Sequence, residues 1–200
     1  MRLWQIIALG VLVHIAYSGS RMLVALYAIN LQASPFTVGA LMSSFALVPM
    51  VIAVSAGRLV DRVGARWPVF ASSLAVALGA LLPYFWPSIG TLYAASTLIG
   101  TGFMVSHVAV NQAVGALGRS DNHVANFSWM ALGYAFSGSI GPLLTGFAID
   151  LIGHAETFLL LFLFPLPPLI VFWLNRPALP RTKKRKVDAG ERRVLDLLRN

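Results

Sequence analysis

Between Leu3 and Leu174 the apolar residues run in long blocks, each closed by a short cluster of polar or turn-forming residues. A helix needs about 20 apolar residues to cross the hydrocarbon core of a bilayer. Blocks of that kind fall at about 3–30, 36–57, 68–86, 90–115, 125–151 and 156–175, so six crossings are predicted. The breaks carry loop chemistry: NLQASP, RLVDRVGAR, WPS, GRSDNH and DLIGHAE follow the first five blocks in turn. All are short, so the crossings should form a tight serpentine. The first block is long, carries His14 and Arg21, and has no small-residue cleavage site, so it reads as a span and not as a signal peptide.

Two blocks carry polar stripes. In the first, His14, Tyr17, Ser18 and Arg21 fall at i, i+3, i+4 and i+7, one face of a helix that is otherwise apolar. In the fourth, His107 and Asn111 share a face with Gly100 and Met104. Polar groups in a membrane helix are costly and face a bundle interior or a water-filled path. His14, Tyr17, Ser18, Arg21, Met104, His107 and Asn111 are therefore the candidate substrate contacts, although either histidine could instead serve a neighbouring helix by a hydrogen bond. An unpaired guanidinium at Arg21 calls for a carboxylate partner or an anionic solute. The third and sixth blocks, VFASSLAVALGALLPYF and TFLLLFLFPLPPLIVFWL, are almost wholly aliphatic and aromatic, and are expected to be lipid-facing supports. Pro165, Pro167 and Pro168 should kink the sixth; Trp86 and Trp173 suit the membrane interface.

Composition agrees with a membrane protein: 58% of residues are hydrophobic and 11% charged, and the mean hydropathy is +0.76. Cysteine is absent, which removes disulfides, thiolate metal sites and cysteine nucleophiles. The four histidines are scattered without ligand spacing, so neither an enzyme nor a metal or cofactor site is expected. Of the 15 lysines and arginines, nine lie from Arg176 to Arg199, while Arg2, Arg58, Arg62, Arg66 and Arg119 fall at the N-terminus or in even-numbered loops. By the positive-inside rule both termini are cytoplasmic. The chain divides into a six-helix bundle over 1–175 and a basic cytoplasmic linker or tail over 176–200. The KKRK of that tail suits anionic lipid and topology enforcement, and nucleic-acid binding is rejected.

One stretch concentrates charge inside this apolar chain: AGRLVDRVGARWPVF, Ala56 to Phe70, the cytoplasmic turn after the second span. Gly57, Asp61, Arg62, Gly64 and Arg66 stand there in a spacing that resembles the signature loop of the major facilitator superfamily, which lies between its second and third helices. Trp67 replaces the second basic residue usual after Arg66. A carboxylate flanked by guanidiniums at a helix end can face the positive N-terminus of a helix in another bundle, a contact that makes and breaks as bundles move. Gly57 would allow close packing and Gly64 a tight or left-handed turn. The resemblance implies a clamp on the cytoplasmic side that favours the outward-open state.

The fifth block, GYAFSGSIGPLLTGFAID, is similar to that family's fifth-helix motif, often associated with antiporters. Gly133, Ser137, Gly141 and Thr145 recur every fourth residue, with Gly138 and Gly146 beside them and Pro142 to bend the helix. Thr145 stands where one glycine is expected, and ordinary small-residue packing explains the stripe equally well. The fourth helix departs from the proton-coupled pattern, in which an arginine precedes the glycine pair; Ser96 occupies that place ahead of Gly100 and Gly102.

The resemblance implies a fold of six transmembrane helices arranged as two inverted three-helix repeats, half of a major facilitator transporter. It implies a small organic solute as cargo, alternating access as mechanism, efflux as the preferred direction, and the plasma or inner membrane as location. The missing second six-helix bundle is expected beyond Asn200 or from another copy of the chain. A half-size homo-oligomeric facilitator and a non-transporting membrane interaction protein remain the alternatives.

Overall fold

The computed structural model describes residues 3–117 and 123–174. Among the described residues every regular element is a helix: α1 (Leu3–Asn30), α2 (Pro35–Val63), α3 (Arg66–Phe85), α4 (Ile89–Leu117), α5 (His123–Ile152), α6 (His154–Leu163) and α7 (Leu166–Leu174). α1 to α5 and the α6–α7 pair make six segments long and apolar enough to cross a membrane. The protein is an all-α, multi-pass integral membrane bundle.

Local chemistry sets the turns. α1 ends where Gln32 takes a positive φ of 59° and Ala33 N–H donates back to the Ala28 carbonyl at 2.9 Å. Ser34 caps α2 by accepting from Thr37 N–H at 3.2 Å, with Pro35 in the first turn where its missing N–H has no helical partner to lose. Gly64, at a positive φ of 79° that glycine adopts freely, ends α2 and donates its N–H to the Val60 carbonyl at 2.8 Å.

Two boundaries differ from expectation. The stretch from Arg58 to Arg66 is no loop: α2 runs on to Val63, and only Gly64 and Ala65 separate it from α3. Hydropathy locates the membrane edge, whereas arginine is a good helix former and keeps the emerged turns helical. The sixth crossing is broken and not merely kinked, because Pro165 has no N–H to continue the ladder. Pro167 and Pro168 then sit harmlessly in the first turn of α7.

α1 and α4 are central, α1 packed on α5 and α4 on both α2 and α3. One core cluster joins Leu23, Leu41, Phe45, Ile99, Phe158 and Leu161; a second, towards the signature turn, joins Ile7, Val60, Val69, Val110, Met130 and Phe172. Within the bundle 50% of the apolar stretch of α3 and 33% of that of the α6–α7 pair is buried, against 17% for α2 and 22% for α5, so α2 and α5 bury the least. Phe158 and Leu161 of α6 are fully buried, because an all-apolar helix suits a protein core as well as lipid.

Candidate functional site

The polar stripe of α1 turns onto α5. Bare positions on α5 let the two backbones approach: a Cβ at Gly141 would collide with Ser18 Oγ and lie 2.9 Å from the Ile15 carbonyl, and one at Gly133 would lie 2.9 Å from Val11. In that contact His14 Nδ1 meets Ser137 Oγ at 2.6 Å. Ser137 also donates to the Tyr134 carbonyl at 3.0 Å, and Ser18 Oγ donates to the Ser137 carbonyl at 3.1 Å and to its own Ile15 carbonyl at 3.3 Å. The sequence assigned Ser18 to a ligand and Ser137 to packing; in the structure both hydroxyls tie α1 to α5, and that of Ser137 meets the His14 ring.

A cavity of about 400 Å3 opens beside this seam. His14, Tyr17, Ser18 and Arg21 line it from α1, Met42 from α2, and Gly138 and Pro142 from α5. Arg21 is exposed, with its guanidinium 5.9 Å from the centre of the Tyr17 ring. Among the described residues it has no ion pair.

Behind Tyr17 lies a set of rings that the sequence did not reveal. Phe103 stacks on Tyr17 with centroids 4.1 Å apart and planes at 16°, and Phe45 meets the Tyr17 ring edge-on at 5.9 Å. Tyr134 stands T-shaped against both histidines, 5.0 Å from His14 and 5.1 Å from His107. The two histidines do therefore gather round one centre, with an aromatic ring between them. Their only sequence signal was position: Phe103 is one turn before His107, and Tyr134 is three residues before Ser137 on the small-residue stripe. Asn111 donates to the His107 carbonyl at 2.8 Å. Met104, His107 and Asn111 are not part of the cavity lining. Gly100 faces the Phe45 backbone and Gly102 the Ser72 carbonyl, so that pair packs α4 against α2 and α3 and does not share the histidine's role.

At the other end of α2, Asp61 is exposed and accepts from Gln112 Nε2 of α4 at 2.7 Å. No arginine holds it among the described residues. Arg66 instead donates to the Phe172 carbonyl at 3.3 Å and stands 5.2 Å over the Trp67 ring, tying α3 to α7. Gly57, expected to pack closely, has nothing within 4 Å of a Cβ placed on it, and Gly64 makes the turn. Gly146 has the Met22 side chain 3.5 Å from such a Cβ.

The sequence profile of the Major Facilitator Superfamily matches residues 6–199. The chain belongs to that superfamily. It is 27% identical over 138 residues to the class B tetracycline resistance protein of Escherichia coli, 68% of this chain and 34% of that protein. A peptide transporter POT crystallised with sulfate superposes with a TM-score of 0.79 at 20% identity, covering 98% of this chain and 43% of that one. A POT family transporter in complex with 5-aminolevulinic acid gives a TM-score of 0.79 at 17% identity and the same coverage. The chain thus spans between a third and a half of the length of these major facilitator relatives. Ser96, ahead of the Gly100 and Gly102 pair on α4, is fully buried. The basic segment 176–200 lies outside the described residues.

Proposed function

We propose that this chain is one half of a secondary transporter that moves a small organic solute by alternating access between two six-helix bundles, with efflux the preferred direction. The observation that carries the reading is the cavity beside the α1–α5 seam, with Arg21, which has no ion pair among the described residues, at one end, in a chain of transporter descent. The small-residue pattern of α5 and the tetracycline resistance relative favour export. The pairing of α1 with α5 repeats that of α4 with α2, which supports two inverted three-helix repeats. The arginine distribution supports cytoplasmic termini, in a plasma or inner membrane.

α2 supports a second bundle. Gly39 and Gly57 both have open space where a Cβ would sit, and they lie eighteen residues apart, five whole turns at 3.6 residues each. Ser43 and Ala46 are exposed on the same line. Glycine inside a helix costs about 1 kcal/mol relative to alanine, and two of them on one outward stripe suit a close helix contact that the six spans do not supply. Asp61 lies one turn beyond Gly57, where its exposed carboxylate, oriented by Gln112, would meet a helix N-terminus of that bundle. The second bundle is further polypeptide or another copy of this chain, the latter making a half-size homo-oligomeric facilitator.

Reconstitution in proteoliposomes tests the reading. Asp61→Asn is expected to slow solute exchange by about tenfold or more, since a charge-assisted contact is replaced by a neutral one, with membrane insertion unchanged. Normal rates in that variant would remove the latch. The mass in nanodiscs separates a homodimer from a single bundle.

A further inference from the structure

We propose that the α1–α5 cavity accepts a planar organic anion, a conjugated ring bearing a carboxylate or a comparable group; the inference rests on the transporter reading above and names its class of solute. Three observations converge. The first is charge. Arg21 is exposed at the cavity and lacks an ion pair among the described residues, while the nearest acid on α5, Asp150, lines an adjoining depression that shares Met22 and Pro142 with it. A guanidinium is a planar fork suited to a carboxylate. A solute anion supplies what the fold does not.

The second is the wall. Tyr17 and His14 present rings inclined by only 26° with centroids 5.9 Å apart, and Phe103 and Phe45 brace Tyr17 from behind. A ring held in this way is a rigid stacking platform. Opposite it α5 shows a glycine and a proline ring, and Met22 and Met42 supply adaptable apolar contact. A volume of about 400 Å3 suits a solute of one or two rings.

The third is what the cavity withholds. Of the two hydroxyl side chains in the lining, Ser18 already donates to backbone carbonyls, which leaves that of Tyr17. A sugar or other polyol needs many matched hydrogen bonds, and its desolvation would go largely unrepaid against so few polar groups. A flat anion needs one strong ionic contact and a ring face.

The test uses the full 200-residue chain in nanodiscs and three probes measured by equilibrium dialysis: 1-naphthoate, its neutral amide 1-naphthamide, and cyclohexanecarboxylate. The naphthoate is expected to bind about tenfold or more tighter than either of the others, as one desolvated charge-assisted contact and one stacking platform require. Arg21→Gln should abolish the preference for acid over amide and Arg21→Lys restore part of it. Tyr17→Leu should abolish the preference for the aromatic over the aliphatic acid while keeping the charge preference. Equal binding of acid and amide, no binding of naphthoate, or an unchanged preference in Arg21→Gln would each overturn the proposal. The wild-type comparison needs no variant to fold. Naphthoate that binds but is never moved in proteoliposomes overturns the transporter reading and leaves the binding class standing; movement of neutral aromatics with acids ignored overturns the class alone.

Discussion

The α1–α5 seam and the α3–α4 seam use the same device for different ends. In both, glycines bring two backbones close: Gly141 against Ser18 and Ile15 in the first, Gly79 against Ile99 and Gly102 against the Ser72 carbonyl in the second. The α3–α4 seam is mostly apolar: its glycines meet the side chains of Ile99, Leu98, Val76 and Ala75. The α1–α5 seam threads His14, Ser137 and Ser18 into one bonded chain and leaves a cavity at its edge. Close approach by itself is packing. It becomes a candidate site where facing polar residues bond across the helices beside a charge that has no ion pair among the described residues.

The sharpest way to break the comparison is to add a methyl group to each seam. Gly141→Ala and Gly102→Ala should each lower stability by about 1–3 kcal/mol, because a Cβ would press on backbone that cannot turn aside. Thermal unfolding in detergent reads this. Only Gly141→Ala should also abolish naphthoate binding; loss of binding in both would mean that the seams are not independent.

Ser137→Ala should cost about 1 kcal/mol, the worth of a hydrogen bond with a partner left behind, and weaken naphthoate binding as the His14 ring loses its anchor. Gly57→Ala, on the open face of α2, should raise the stability of the isolated bundle by roughly 0.5–1 kcal/mol while impairing solute exchange. A variant that gains stability and keeps full exchange would leave the α2 stripe without a partner. Smallest of all, Ser96→Ala, at a buried position of α4, should stay within about 0.5 kcal/mol of the parent, since no protein group bonds its hydroxyl. A large loss there would mean that polar contacts of α4 stabilise the bundle as those of the α1–α5 seam do.

Much of this was legible in the sequence, for reasons that differ by residue. The six crossings came through because hydropathy sums over some twenty positions and local errors average out. Their ends did not, since Arg58 to Val63 are charged and helical together. His14, Tyr17 and Arg21 stood out as polar groups in an apolar block, and the cavity contains all of them. Phe103, Tyr134 and Met42 were invisible because an aromatic or methionine among leucines has no contrast. Gln112, in the last turns before a polar loop, looked like ordinary surface, yet it holds Asp61.

The sequence alone determined the number of spans, their solvent, the superfamily and the face of α1 that carries chemistry. Each is a property of one helix or of its surroundings, and each is written in periodicity and composition. The tertiary structure decided which helix meets that face, that Ser137 anchors His14, that Phe103 braces Tyr17, and that α2 and α5 bury the least. Lipid tails and protein cores are equally apolar, so composition cannot say which of two greasy helices is inside. Only the fit of glycines against backbones, and of one polar stripe against another, chooses between them.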